Sequence, residues 1–190
     1  MKKSFDTRKL VLLALLTALV VVLQIFASAI PVGPFSLNLV LIPIVVGAAL
    51  ISPLAGLWLG VVFGTVVLIA DPAVPLFLGF NAFATVFVIL VRGAVSGFLS
   101  GAAYKLLERK NVTIAVIVAA AICPLVNTAL FIVGLYVFFA PFFGGASAVT
   151  AFVTTVLLVN FPIELSVNLV FSPVIVRLIQ YSQKTFAGRK

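Results

Sequence analysis

Residues 83–107 read FATVFVILVRGAVSGFLSGAAYKLL, an apolar run whose charged side chains are Arg92 and Lys105. A helix of this length rises about 37 Å, which is enough to cross the roughly 30 Å of hydrocarbon in a bilayer. Comparable runs recur along the chain, which has 190 residues, 64% of them hydrophobic and 8% charged. Soluble domains carry about 25% charged residues. The sequence therefore predicts an all-α integral membrane protein.

The apolar runs are separated by proline, glycine and charged residues. One membrane domain of residues 1–190 is expected, with transmembrane helices near 9–30, 36–52, 54–71, 83–107, 112–140 and 149–181. At the boundary between the second and third runs, a broken or re-entrant element is an alternative. A membrane β-barrel would need alternating apolar and polar residues, and these runs are apolar on every face. The prediction is a compact bundle of six transmembrane helices.

The cations indicate the orientation of this bundle. Eleven of the twelve Lys and Arg residues lie at the N-terminus, at the turn between the fourth and fifth helices or at the C-terminal end. In a six-helix bundle these three regions share one side of the membrane, and the positive-inside rule makes that side cytoplasmic. Both termini are therefore predicted to be cytoplasmic. The net charge of +8 reflects this arrangement, and no nucleic-acid partner is expected.

Several kinds of catalytic site are excluded by the composition. The chain has no histidine and one cysteine, Cys123, which rules out a His/Cys metal site and Ser-His or Cys-His catalysis. The phosphate-binding pattern GxxxxGK[ST] does not occur in the sequence. We therefore expect neither an enzyme nor a metal or cofactor bound by this chain.

Glycine recurs at every fourth position in two of the predicted helices. This spacing places small residues on one helix face, where another helix can approach closely. The faces are suited to packing within the chain or to a subunit interface. Their members are Gly56, Gly60 and Gly64 in the third helix and Gly93, Gly97 and Gly101 in the fourth.

Two ionisable residues, Arg92 and Glu164, lie inside predicted membrane helices, where a charge is costly. Measured from the predicted outer ends of helices four and six, they are roughly 14 and 22 Å deep. An arginine side chain can bridge that difference. One interpretation is an ion pair that joins the two helices. The other is that one or both residues face a hydrophilic ligand cavity, and the two interpretations are compatible.

Further polar residues support a cavity. Asn160, Glu164 and Asn168 are spaced by four residues and share one face of helix six. Pro162 interrupts this stripe and frees a backbone carbonyl group, which a cavity can accommodate. Asn127, three residues after a proline in helix five, repeats the arrangement. These residues predict a polar pocket between helices four, five and six.

The predicted outer loops add a second group of candidates. The segment 71–81, DPAVPLFLGFN, contains Asp71 and Asn81. It is either a simple connecting loop or a lid over the pocket. Asn38 is a loop cap or a contact at the mouth, and Tyr136 is an interfacial aromatic or a ligand contact. The candidate substrate-binding residues are Arg92, Asn127, Asn160, Glu164, Asn81, Asn38 and Tyr136.

The order of motifs resembles that of the S components of energy-coupling factor (ECF) transporters, over roughly residues 8–180. The resemblance lies in TRKLVLLALLTALVVVL (7–23), IPVGPFSLNLVLIPIVVGAALISPLAGLWLGVVFG (30–64), RGAVSGFLSGAAYKLLERKN (92–111), CPLVNTALF (123–131) and VNFPIELSVNLVFSPVI (159–175). It implies a subunit in the bacterial plasma membrane that binds a vitamin from outside. The expected partners are a transmembrane T component, two cytoplasmic ATPases that use ATP, and the lipid bilayer. By the same resemblance, Ala14 and Ala18 match the small-residue motif that docks on the T component.

Among these S components, the sequence is most similar to the pantothenate-specific group. Pantothenate is a small aliphatic anion, and Arg92 offers a bidentate fork for its carboxylate. Asn127, Asn160 and Glu164 offer partners for its hydroxyl and amide groups. If Glu164 fully neutralises Arg92, a neutral vitamin such as pyridoxine or a thiamine precursor fits better. Riboflavin and folate remain further alternatives.

A self-sufficient secondary carrier with Glu164 as its proton site is the rival function. Such carriers often consist of two related halves, and residues 9–71 and 83–181 show no convincing repeat. Dimerisation would have to supply the second half. Dependence of transport on an ATPase partner separates the two functions.

Overall fold

The computed structural model describes residues 7–29, 31–32, 35–36 and 40–187, with the side chains of 31–32, 35–36, 156, 159–160 and 181–187 excepted. This part of the chain forms helices α1 (Thr7–Ser28), α2 (Leu41–Leu50), α3 (Pro53–Ala70), α4 (Val74–Leu107), α5 (Val112–Phe138) and α6 (Ala146–Ala187). Between α1 and α2, the two-residue strands β1 (Pro31–Val32) and β2 (Phe35–Ser36) pair in antiparallel fashion. The predicted all-α helical bundle is confirmed.

The second helix is shorter than the predicted span 36–52. Five segments within the described residues are long and apolar enough to cross a membrane: Thr7–Ser28, Pro53–Ala70, Val74–Leu107, Val112–Phe138 and Phe161–Gln180. Helix α2 begins after the strand pair and has 10 residues. Its length is therefore only about 15 Å. The Ser52 side chain then accepts a hydrogen bond from the Ala55 N–H at 3.1 Å, and Pro53 starts α3. Helices α2 and α3 thus form the broken element that the sequence left as an alternative.

Helix α4 begins at Val74 rather than near residue 83, because a proline in the first turn of a helix is compatible with helical geometry. The backbone leaves the helical region at Asn81, where φ is −151° and ψ is 93°. The Asn81 Oδ1 atom accepts a hydrogen bond from the Ala84 N–H at 3.0 Å. Asn81 therefore caps the longer part of α4. The segment predicted as an outer loop contains a short helix that precedes this kink.

The prolines predicted inside the last two helices are accommodated there. Helix α5 contains Pro124, and α6 contains Pro162 and Pro173. Helix α6 has 42 residues and is longer than the predicted span 149–181. At about 63 Å, it exceeds the hydrocarbon thickness roughly twofold.

The two glycine faces pack against each other, and α3 and α4 form the most extensive helix pair. A Cβ atom on Gly60 would collide with the carbonyl oxygen of Gly93, and one on Gly56 would collide with that of Gly97. All of these glycines are buried within the chain. Packing within the chain is therefore the confirmed interpretation of this spacing.

Two apolar clusters fill the described interior. The larger one contains residues from all six helices, among them Phe63, Leu59, Tyr104 and Ile175. The smaller one lies at the N-terminal ends of α4 and α6 and the C-terminal end of α5, and it includes Phe77, Leu135, Phe139 and Val153. The candidate site described next lies beside this smaller cluster.

Candidate functional site

A cavity lies where the C-terminal ends of α3 and α5 meet the N-terminal part of α4. Its polar lining consists of Asp71, Thr85 and Arg92, and its aromatic lining consists of Phe77, Phe131 and Phe139. The other lining residues are aliphatic: Val67, Ala73, Val74, Val88, Ile89 and Leu135. A few polar groups in an apolar wall are typical of small-molecule sites. The space open to the centres of water-sized molecules is about 30 Å³, so a ligand larger than a few water molecules would require the cavity to widen.

Arg92 is the predicted site residue that lines this cavity. Its side chain is partly exposed, while its Nε atom is buried and donates no hydrogen bond within the described residues. The guanidinium carbon lies 4.8 Å from the centre of the Phe131 ring, a cation–π contact. The carboxylates of Glu164 and Asp71 also act electrostatically on its charge. Arg92 is therefore a cation in contact with an aromatic ring, with part of its surface available to the cavity.

Glu164 lies on α6 and is 5% exposed. Its backbone oxygen accepts a hydrogen bond at 2.9 Å from the side-chain amide of Asn168, which is fully buried. The Glu164 charge also acts on Cys123 of α5. The ion pair predicted between Arg92 and Glu164 stays a prediction.

Below Arg92, buried hydroxyl groups continue along α4. Ser96 and Ser100 are both fully buried, and both lie beside the thiol of Cys123. The Ser100 hydroxyl donates to the Ala119 carbonyl at 2.9 Å, and the Ser96 hydroxyl donates to the Gly93 carbonyl at 2.9 Å. Each of these hydroxyl groups thus has a backbone acceptor. The Ser100 hydrogen bond also connects α4 to α5 and fixes their relative position along the helix axes.

Asn127 is 1% exposed, and its Oδ1 atom accepts no hydrogen bond within the described residues. It lies one helical turn before Phe131 on α5, below the ring that contacts Arg92, and does not line the cavity. The side chain of Asn160 and the whole of Asn38 lie outside the described part of the chain. Their predicted roles therefore stay predictions.

The two remaining candidates lie away from the cavity lining. Asn81 is exposed, and its side-chain oxygen forms the helix cap. Tyr136 is 38% exposed, and its hydroxyl lies 2.8 Å from the Thr150 hydroxyl, a hydrogen bond between α5 and α6. Both side chains therefore have structural contacts of their own.

The cavity is formed by α3, α4 and α5, whereas the sequence predicted a pocket between helices four, five and six. Among the described residues, α6 contributes none to the lining of this cavity. Sequence reasoning missed Thr85 and Leu135. Thr85 is seven residues before Arg92, two turns along the same helix face, and this spacing is the signal that could have identified it.

Aromatic rings are packed together beside the cavity, and two of them, Phe77 and Phe139, belong to its lining. The rings of Phe77 and Phe139 meet edge to face with centres 5.1 Å apart, and Phe142 lies 5.7 Å from Phe77 and 5.3 Å from Phe80. These four residues, which we call the aromatic cap, belong to the short helix before Asn81 and to the connection after α5. That connection includes Gly144 and Gly145, whose φ angles of 84° and 123° favour glycine.

Ala14 and Ala18 are exposed on α1. The opposite side of this helix packs inward through Leu16, Val20 and Gln24, so the predicted docking face is directed away from the bundle. At its edge, the Trp58 indole N–H donates to the Thr17 hydroxyl at 3.3 Å, joining α3 to α1. The small side chains of Ala14 and Ala18 therefore form an exposed surface beside Trp58 that lipid or another protein can contact.

Comparison with known proteins agrees with these features. The family model described as ECF transporter, substrate-specific component matches residues 8–176. A search of curated proteins found no match to the chain. The matched region extends from the start of α1 into α6 and includes the cavity, both glycine faces and the exposed face of α1. The chain is a multi-pass membrane protein, and it belongs to the family of ECF transporter substrate-specific components.

Proposed function

We propose that this chain captures a small vitamin in the cavity beside Arg92 and transfers it across the membrane together with a T component and two ATPases. Family membership supports the general role. The observation that supports the location of the site is a cation at the wall of an otherwise apolar cavity. The chain itself would bind no ATP, which the ATPase partners would consume.

Pantothenate is the substrate that we propose first. Its carboxylate suits the exposed part of Arg92, because a guanidinium group can donate two parallel hydrogen bonds to a carboxylate. Its branched aliphatic body suits the valine, isoleucine and leucine side chains of the lining. Thr85 also lines the cavity; its hydroxyl donates to the Asn81 carbonyl at 2.8 Å, so its oxygen can accept a hydrogen bond from the ligand. The resemblance to the pantothenate-specific group supports the same choice.

A neutral vitamin is the principal alternative substrate. Glu164 and Asp71 already act on the charge of Arg92, so an added anion must compete with two carboxylates. Pyridoxine or a thiamine precursor would avoid this competition and could contact the Phe131 and Phe139 rings. Riboflavin and folate are larger and would require the aromatic cap to move farther.

For either substrate, the aromatic cap has to open. A cavity of about 30 Å³ holds only about two water molecules. The kink at Asn81 and the two glycines after α5 flank the cap, so they are suited to act as its hinges. This proposal retains the lid function predicted for the segment 71–81.

Thermal unfolding of the detergent-purified protein with a panel of B vitamins tests this function. A ligand at 100 times its Kd that binds only the folded state adds about 2.7 kcal/mol of stability. A shift with pantothenate alone supports our proposal, and a shift with pyridoxine or a thiamine precursor reassigns the substrate. No shift with any vitamin contradicts vitamin binding.

The buried carboxylate of Glu164 also fits a proton-coupled carrier, because intramembrane carboxylates serve as proton sites in transporters. Uptake into vesicles that contain this chain alone, with a proton gradient and without ATPase partners, distinguishes the two functions. We expect no uptake until the T component, the ATPases and ATP are supplied. Gradient-driven uptake by the chain alone would favour the carrier.

A further inference from the structure

We infer that Arg92 and Asn127 hold one water molecule between α4 and α5, and that this water orients the guanidinium group toward its ligand. The Arg92 Nε–H would donate to the water, and the water would donate to the Asn127 Oδ1 atom. Asn127 would then be a positioning residue that acts through the water and Arg92 without contacting the substrate. The part that concerns the substrate rests on the proposed function, and the water site itself does not.

Two contacts between α4 and α5 show which parts of the two helices lie side by side. The Ser100 hydroxyl donates to the Ala119 carbonyl at 2.9 Å. Farther along, a Cβ atom on Gly134 would collide with the Val88 side chain, so these two residues are packed together. The residue numbers fall on α4 while they rise on α5, which makes the helices antiparallel. The two contacts lie on either side of Arg92.

Between these contacts, Arg92 lies level with the segment of α5 from Asn127 to Phe131, since each helix rises about 1.5 Å per residue. The distance of 4.8 Å between the guanidinium carbon and the centre of the Phe131 ring agrees with this level. Arg92 is two intervals of four residues before Ser100, and Asn127 is two such intervals after Ala119. Residues spaced by four follow one helix face. Arg92 and Asn127 therefore meet at the same interface.

Each of these two side chains has a polar atom that is buried and unpaired. Within the described residues, the Arg92 Nε atom donates no hydrogen bond and the Asn127 Oδ1 atom accepts none. Asn127 is 1% exposed, so bulk water does not satisfy its oxygen. Buried polar groups nearly always have a partner, because burial without one is costly. An unpaired donor and an unpaired acceptor at one interface indicate a group that joins them.

Water has the chemistry that both atoms require. Its oxygen accepts from an N–H group, its O–H groups donate to an amide oxygen, and buried waters typically join polar groups that are otherwise unpaired. The cavity that Arg92 lines has about 30 Å³ of space, which is room for about two water molecules. A hydroxyl group of pantothenate has the same chemistry, but an amide and two methylene groups separate it from the carboxylate. With that carboxylate on the terminal nitrogens of Arg92, water is the better occupant beside Nε.

The bridge would determine how Arg92 presents its donors. With the Nε–H bound to water, the two terminal NH₂ groups remain for a carboxylate, which can accept two parallel hydrogen bonds from them. The Phe131 ring supports the guanidinium group through the cation–π contact. Loss of the Asn127 oxygen would leave the Nε–H without its bridge and the terminal groups free to turn. Binding of an anionic ligand should therefore weaken more than binding of a neutral one.

Thermal unfolding of the detergent-purified protein without ligand tests the water site. Asn127→Leu should lower the unfolding midpoint, because the bridge loses its acceptor. Arg92→Lys retains the charge but has a methylene group in place of the Nε–H. In that background Asn127→Leu should lower the midpoint by at most about half as much, since the bridge is already broken. An equal decrease in both backgrounds overturns the water site, and so does a higher midpoint for Asn127→Leu in the wild type, the result expected when an unpaired amide is replaced by an apolar group.

Calorimetric titration with two ligands tests the positioning role. Pantothenyl alcohol is pantothenate with a hydroxymethyl group in place of the carboxylate, so it lacks the group that Arg92 is proposed to bind. Asn127→Leu should weaken the binding of pantothenate roughly 2- to 13-fold and that of pantothenyl alcohol clearly less. Equal weakening of both ligands, or of neither, overturns the positioning role.

Thr128→Val is the matched control, because it removes a hydroxyl group from the adjacent residue of α5, which is 8% exposed, with little change in size. Its effect on the midpoint should be the same in the wild type and in Arg92→Lys, and it should not distinguish the two ligands. No binding of any vitamin overturns the proposed function together with the positioning role. The unfolding measurements then still decide the water site.

Discussion

Gly60 of α3 and Gly93 of α4 lie backbone against backbone, so that a Cβ atom on either residue would collide with the carbonyl oxygen of the other. Gly56 and Gly97 repeat this contact one turn away, with the two helices antiparallel. Arg92 directly precedes Gly93 in sequence. The close crossing of α3 and α4 therefore also determines where the guanidinium group meets the cavity, which lies between the same two helices and α5.

Replacement of Gly60 by alanine should destabilise the protein, because the methyl group would meet backbone atoms that cannot rotate away. Overpacking of an interior typically costs about 1–3 kcal/mol. Gly79→Ala is the matched control, since a Cβ atom at Gly79 would meet nothing within 4 Å. That substitution should be neutral or stabilising by up to about 1 kcal/mol. Thermal unfolding of both variants in detergent measures the difference, and equal stability would contradict the close crossing.

The glycine spacing predicted a close helix contact because a period of four is a local property of one helix. The pairing of one glycine face with the other was not predictable in the same way, since it depends on which helices become neighbours. The cavity at the ends of α3, α4 and α5 was not predicted from the sequence for a related reason. Its walls depend on where α3 ends and on the kink at Asn81. The sequence of residues 71–81 was interpreted as a loop or lid before a helix. In the structure, α4 already begins at Val74 and is interrupted by the Asn81 cap. Arg92 and Glu164 were identified because charges in apolar helices are visible in sequence.

Arg92→Ala should weaken pantothenate binding by roughly 10- to 150-fold, because hydrogen bonds to charged groups contribute about 1.5–3 kcal/mol. Arg92→Lys should bind with intermediate affinity, since lysine retains the charge but lacks the planar fork. Arg177→Ala removes an exposed cation from α6 and is the control. Titration calorimetry gives the affinities, and unfolding curves show whether each variant is folded. If Arg92→Ala were less stable but bound pantothenate with unchanged affinity, Arg92 would be only a brace for Glu164.

Asn81→Ala should lower stability by about 1 kcal/mol, because the cap on the Ala84 N–H would be lost. Asn81→Asp should retain the stability, since a carboxylate oxygen can accept the same hydrogen bond. Thermal unfolding without ligand compares the two variants. Substrate titration then separates the cap from the predicted ligand contact. An Asn81→Asp variant of normal stability with much weaker binding would show that the side chain also contacts the substrate.

Phe142→Ala should accelerate both association and release of the substrate. Phe142 lies within the aromatic cap, where its ring contacts those of Phe77 and Phe80. It is 40% exposed and is not in the cavity lining, so its loss should remove part of the cover without removing a wall. Leu158→Ala, which truncates an exposed side chain on α6, is the control. Stopped-flow measurements give both rates. A slower release from Phe142→Ala would contradict a role as a cover.

Ala14→Leu and Ala18→Leu should impair assembly with the T component while leaving vitamin affinity within about twofold of the wild type. Both alanines are exposed on α1, and a larger side chain there would hold a partner helix away, because close helix approach in membranes depends on small residues. The cavity lies among α3, α4 and α5, so the substitutions should not reach it. Ala129→Leu makes the same change at an exposed position on α5 and should assemble normally. Co-purification with the T component and ATPases measures assembly, and calorimetry measures binding. Loss of assembly in all three variants would indicate a general effect of bulk on the membrane surface, and loss of vitamin binding in the α1 variants alone would mean that this face supports the site.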